Sequence, residues 1–150
     1  MPMPMPKAPK PTPIPLARVL VLDGYEASRD ASATELRRAG FEVLAVEEEE
    51  QALAALAGAD ARPEIDIVVL DVPLPEAEEA ARAIRSAARP PNHRLPTVIA
   101  LASPSDPRPI REAARASGID YILLRPCPPP DLAKHLRRLH LPRASVSQPR

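Results

Sequence analysis

Residues 67–75 read Ile67-Val68-Val69-Leu70-Asp71-Val72-Pro73-Leu74-Pro75, an aliphatic run that stops at an acid and two prolines. A short apolar run bounded by turn residues has the signature of a strand buried on both faces. Ile65 to Leu70 is therefore read as a strand and Asp71 as its carboxyl end. The chain repeats this grammar on both sides. Strands are expected over Arg18 to Leu22, Glu42 to Val46, Thr97 to Leu101 and Tyr121 to Leu124. Between them lie Ala-rich stretches with helical spacing. Ala27 to Ala39 ends at Gly40, and Glu48 to Ala57 at Gly58. Glu76 to Ala88 carries Ala77, Ala80, Ala81, Ile84 and Ala88 on one face. A fourth helix starts from Asp106 as N-cap with Pro107 at N1, and ends near Ala116 before Gly118. Asp131 is read as the cap of a last helix with Leu132, Leu136 and Leu139 on one side.

Five βα units in succession imply an α/β protein with a parallel sheet and helices on both faces. Right-handed crossovers leave few topologies. Five strands suit a flavodoxin-like, doubly wound (βα)5 sheet of order 2-1-3-4-5.

Composition narrows the function classes. The 150 residues carry 20 Lys+Arg against 20 Asp+Glu, so no global positive charge attracts nucleic acid. Tyr25, Phe41 and Tyr121 are the only aromatics, too few for base-stacking platforms. Cys127 is the single cysteine, which excludes an internal disulfide framework and Cys-rich zinc modules. No apolar run approaches the roughly 18 residues of a membrane span, and the N-terminus lacks a signal-peptide core. A cytoplasmic protein without nucleic-acid or membrane partners is expected. Proline is abundant, 22 residues, seven of them within MPMPMPKAPKPTPIP. Residues 1–16 are read as a flexible Pro-rich tail, 17–141 as one domain and 142–150 as a second tail. Pro6-Lys7-Ala8-Pro9 has PxxP spacing; so short a pattern arises easily by chance, so a solvated tail is the first reading and a recruited ligand the alternative.

In sheets of this kind ligands sit at the carboxyl ends of the strands. Asp23-Gly24-Tyr25 follows strand one, Asp71 strand three, Ala102-Ser103 strand four and Arg125-Pro126 strand five. Two carboxylates and one cation thus meet on one edge. Such acids are costly to bury without a cation or hydrogen bonds. One reading is a site at Asp71 balanced by Arg125 or by Mg²⁺. The other is a strand-end aspartate bonded to its own turn.

Over Ala17 to Leu141 the chain resembles the response-regulator receiver domains of two-component signalling. The resemblance rests on spaced motifs. Val19 to Asp23 (VLVLD) is similar to the first strand and its acidic end. Arg29, Leu36 and Gly40-Phe41 follow at the family's intervals. Ile67 to Pro75 is similar to the strand bearing the phosphoacceptor aspartate. Leu95 to Leu101 and Ser117 to Pro126 complete the pattern. The resemblance implies transfer of a phosphoryl group from a histidine kinase to Asp71. It also implies Mg²⁺ held by acids that include Asp23 and Asp71.

The same resemblance exposes departures. Gly24 stands where the second acid belongs, and Glu26 is the acid nearest to replace it. Leu101 occupies the switch Thr/Ser position, Ile122 the switch aromatic, and Arg125 the Lys. Leu cannot donate the hydrogen bond to a charged group that contributes about 1.5–3 kcal/mol. Ser103, on the following loop, is a poor substitute. Arg keeps the charge but presents a planar fork, and can form a fixed pair with Asp71. The expectation is a pseudo-receiver: not an enzyme, requiring no cofactor, with weak Mg²⁺ binding and phosphorylation-driven switching weakened or lost. The alternative is a working single-domain response regulator phosphorylated on Asp71. With about nine residues after the last helix, function is expected through docking to a histidine kinase or another regulatory protein. The family's docking face, the fourth helix, fifth strand and fifth helix, holds Arg111, Arg115, Tyr121, Lys134 and Arg138 here, and would also serve a homodimer. His93, His135 and His140 lack metal spacing. Glu47 to Glu50 reads as a solvated helix start. No pattern makes Cys127 a nucleophile. No G-x-G-x-x-G or P-loop motif is present, and no flavin-stacking aromatics support a flavodoxin-like ligand domain.

Overall fold

A computed structural model describes residues 3–4, 15–57, 64–87, 95–106 and 110–139. The strands are β1 (Arg18–Asp23), β2 (Glu42–Val46), β3 (Ile67–Asp71), β4 (Thr97–Ala102) and β5 (Tyr121–Leu124). They form one parallel sheet of order β2-β1-β3-β4-β5, as the alternation predicts. The helices are α1 (Glu26–Arg38), α2 (Glu49–Ala57), α3 (Leu74–Ala87), α4 (Ile110–Ser117) and α5 (Pro129–Leu139).

The central strands are apolar between their end residues because both faces are covered. Leu20, Leu22, Val68, Leu70, Val98 and Ala100 point to one side. There Ala77, Ala80, Ala81 and Ile84 of α3 pack with Ala52 of α2, and their small side chains let the helices lie close to the sheet. Val19, Val21, Ile67, Val69, Ile99 and Leu101 point to the other side, against Leu36 of α1 and Leu132, Ala133 and Leu136 of α5. Truncating a fully buried leucine such as Leu20 or Leu70 to alanine costs about 2–5 kcal/mol.

Helix ends follow local chemistry. Gly40, at φ +103°, ends α1, and Gly118, at φ +78°, ends α4. The side-chain oxygen of Gln51 accepts the backbone N–H groups of Glu47 and Glu48 at 2.9 and 3.0 Å, half of a capping box that starts α2. The starts of α1 and α2 fall one residue from the sequence expectation, and two others differ by more. α3 opens at Leu74 rather than Glu76, because Pro75 sits in the first turn, where its missing N–H has no intrahelical partner to lose. For the same reason α5 opens at Pro129. Asp131 is not its cap: its N–H, and that of Leu132, donate to the carbonyl of Pro128 at 2.9 and 3.0 Å. Asp131 lies inside the first turn, where its charge suits the helix dipole.

The proline-rich segment 5–14, Gly58, Ala88, His93, His140, the helix start at Pro107 and the tail 142–150 fall outside the described residues. Among the described residues, no helix is long and apolar enough to cross a membrane.

Candidate functional site

The parallel register sets Asp23 of β1 directly beside Asp71 of β3. Both strands end there, so the two carboxylates share the carboxyl edge of the sheet. β4 lies next, and the N–H of Arg125 donates to the carbonyl of Ala102 at 2.9 Å, which fixes Arg125 just past β5. The Arg125–Pro126 peptide is cis. A cleft of about 410 Å³ opens on this edge, lined by Asp23, Asp71, Leu101 and Arg125 together with Tyr25 and Ser28.

Asp23 is 1 % exposed. Its carboxylate is met by its own loop: Oδ1 accepts the N–H of Tyr25 at 2.9 Å and Oδ2 accepts the hydroxyl of Ser28 at 2.5 Å. The backbone carbonyl of Asp23 accepts from Arg29 at 2.9 Å, tying the first turn of α1 to the end of β1. Asp71 is met by Arg125, whose guanidinium nitrogen lies 2.5 Å from Oδ1. The Asp71 side chain is 16 % exposed and that of Arg125 40 %. Burial pushes the Asp71 carboxyl above its ordinary value of 3.8; Arg125 opposes this, and Asp23 adds to it.

The residues read as switch positions are apolar and packed. Leu101 is buried in the cluster under α1 and α5 and lines the cleft. Ile122 packs against the opposite cluster, its register partner being Ala100. Ser103 lines the cleft, but its hydroxyl is engaged with that of Ser105 at 2.8 Å. Glu26 begins α1, is exposed and does not line the cleft, so it does not replace the acid missing at Gly24. Tyr25, 80 % exposed, stands at the rim.

These residues are a poor match for Mg²⁺. Two oxygens of Asp23 and one of Asp71 accept protein hydrogens, and a guanidinium lies against Asp71. Among the described residues, no group of three or more His, Cys, Asp or Glu side chains converges to hold a metal ion.

Of the residues assigned to docking, Tyr121 is exposed on the edge strand β5, Arg115 on α4, and Lys134 and Arg138 on α5. Arg111 belongs to α4, with its side chain outside the described residues. Lys134 and Arg138 border a groove of about 530 Å³ along β5 and α5 that also holds Cys127 and His135. Burial pushes the Cys127 thiol up, with Asp131 and Asp71 adding to the shift, which disfavours the nucleophilic thiolate.

Solved structures similar to this chain are receiver domains. Chemotaxis protein CheY4 of Vibrio cholerae superposes with a TM-score of 0.65 at 25 % identity, over 81 % of this chain and 97 % of that one. A response regulator in red light signaling of R. palustris gives 0.64 at 25 % identity, over 91 % and 99 %. The receiver domain of a sensor histidine kinase from Pseudomonas aeruginosa, described with a magnesium ion coordinated in its active-site cleft, gives 0.61 at 24 % identity, over 81 % and 95 %. No protein-family model matches the chain, and no curated protein does. The chain has the CheY-like fold, and its structural neighbours are response-regulator receiver domains. Ser28 escaped the sequence reading; its only signal is its position five residues after Asp23, across the strand-to-helix turn.

Proposed function

We propose that this chain is a receiver-like module of two-component signalling that works by docking to another protein, without a phosphorylation switch. One observation carries the reading: Arg125 is paired at 2.5 Å with one oxygen of the Asp71 carboxylate, the group that would have to attack a phosphoryl donor. Support comes from the neighbouring positions. Leu101 offers no hydroxyl to a phosphoryl oxygen, and Ile122 is an aliphatic side chain packed on the core. Gly24 supplies no second acid. An aspartate so held keeps the site's charge nearly constant, which suits a fixed surface rather than a two-state one. Mg²⁺ is not required in this reading.

The partner is a histidine kinase or another regulatory protein, and the face is formed by α4, β5 and α5. Tyr121 supplies apolar area there; Arg115, Lys134 and Arg138 supply positive charge for an acidic counterpart. The same face would serve a homodimer. The protein acts in the cytoplasm and is not an enzyme.

A second reading is favoured by the placement of Asp71 itself, at the end of β3 and open to a cleft. In that reading Asp71 accepts a phosphoryl group from a histidine kinase. Proton–nitrogen NMR spectra with and without acetyl phosphate and Mg²⁺ separate the two. Unmoved amide resonances for Leu101, Tyr121 and Ile122 are expected. Shifts along β4 and β5 that disappear in Asp71→Asn would establish the second reading.

A further inference from the structure

The acid missing at Gly24 is the obvious reason for a receiver-like site to refuse a divalent cation, yet the geometry points to two other residues. We infer that Ser28 and Arg125 set the cation preference of this edge: they close it to Mg²⁺, and the guanidinium supplies the positive charge instead. This deepens the function proposed above and rests on its reading of Asp71 as the centre of the site.

Mg²⁺ demands near-octahedral oxygen geometry and gives up water reluctantly, so it needs carboxylate oxygens aimed at a common point. Here three of the four carboxylate oxygens already accept protein hydrogens. Ser28 donates to Oδ2 of Asp23 at 2.5 Å while the Tyr25 N–H holds Oδ1 at 2.9 Å. Both oxygens of that carboxylate are thereby committed to donors at the start of α1. Arg125 holds Oδ1 of Asp71 and sets a full positive charge against that carboxylate, which repels a second cation. Restoring an acid at position 24 changes neither contact. A Cβ added at Gly24 would meet nothing within 4 Å, so the backbone there has room to begin a side chain.

Titration calorimetry with MgCl2 on the full chain tests this. The variants are Gly24→Asp, Gly24→Asp with Ser28→Ala, and both together with Arg125→Met. Wild type and Gly24→Asp are expected to show no saturable heat. The triple variant is expected to gain at least roughly tenfold in affinity over Gly24→Asp, the usual scale for residues that orient metal ligands. Saturable binding by wild type would overturn the inference. So would Gly24→Asp binding as tightly as the triple variant, since the missing acid would then be the whole cause. A triple variant with a native circular dichroism spectrum and no gain overturns it as well. If Arg125→Met unfolds the chain, Arg125→Lys in the same background replaces it, because a flexible ammonium leaves Asp71 more readily than the planar fork. No gain there counts equally against the inference. The titration contains no phosphodonor, so entry of the cation and phosphorylation of Asp71 are read separately.

Discussion

Arg125 reaches from the end of β5 past β4 to the end of β3, where its guanidinium nitrogen lies 2.5 Å from Oδ1 of Asp71. The contact joins residues 54 apart in the chain. It ties the outer strand of the sheet to the central one at the edge where such folds do their chemistry.

Removing one partner leaves a half-buried charge. Breaking a fully buried pair costs about 3–5 kcal/mol, but the Arg125 side chain is 40 % exposed, so water takes over part of its role. Arg125→Ala is expected to lose about 1–2 kcal/mol in urea denaturation. Asp71→Asn is expected to be nearly neutral at pH 7, since burial already disfavours the charge at that position. In the double variant most of the Arg125→Ala loss returns. Strict additivity in that cycle would deny the coupling.

Glu49 gives a pH dependence of known sign. Burial, with Glu79 and Glu50 adding repulsion, pushes its carboxyl above the ordinary value of 4.5. The folded state therefore holds the proton more tightly than the unfolded one, and ionising Glu49 lowers stability as pH rises from about 4.5 through the folded value. Glu49→Gln removes that loss. Its melting temperature is expected to exceed the wild type's at pH 7, and the difference to close below about pH 4.5. A difference that widened on acidification would have the wrong sign.

Gly118 tests the opposite end of the sheet. Its φ is +78°, and a Cβ there would lie 2.0 Å from Nε of Arg85, which donates to the Gly118 carbonyl at 3.0 Å. Gly118→Ala is expected to cost about 1–3 kcal/mol, from backbone strain and displacement of Arg85. Chemical denaturation measures it. Because the carboxyl edge lies at the far end of the strands, Mg²⁺ titrations of this variant are expected to match wild type.

Leu101→Thr supplies the hydroxyl that the edge lacks. A polar group in a packed apolar position is expected to cost about 1–3 kcal/mol by thermal melting. It is not expected to make the chain responsive to acetyl phosphate while Arg125 holds Asp71. A phosphorylation-dependent spectral change in Leu101→Thr alone would place the block at residue 101 rather than at the ion pair.

The sheet was legible because β1, β3 and β4 are continuous apolar runs with helical spacing between them, and that pattern is set by burial on two faces. Asp23, Asp71 and Arg125 could be placed together because strand ends in a parallel sheet share an edge. Ser28 could not. It sits in a helix whose sequence looks solvated, and only the turn after β1 folds it back onto Asp23. The start of α5 differs from its sequence expectation for a local reason. Asp131 has capping chemistry, but Pro129 and Pro130 tolerate the first helical turn and move the start ahead of it. Two local propensities competed there, and the prolines rather than the acid set the first residue.

The most direct test is the intact mass of the protein after incubation with acetyl phosphate and Mg²⁺, beside Asp71→Asn. An unchanged mass in folded wild type is the expected result, with Asp71 retained by Arg125 and unavailable to the donor. A phosphoryl adduct on wild type that is absent from Asp71→Asn would contradict the account and make the chain a phosphorylated response regulator.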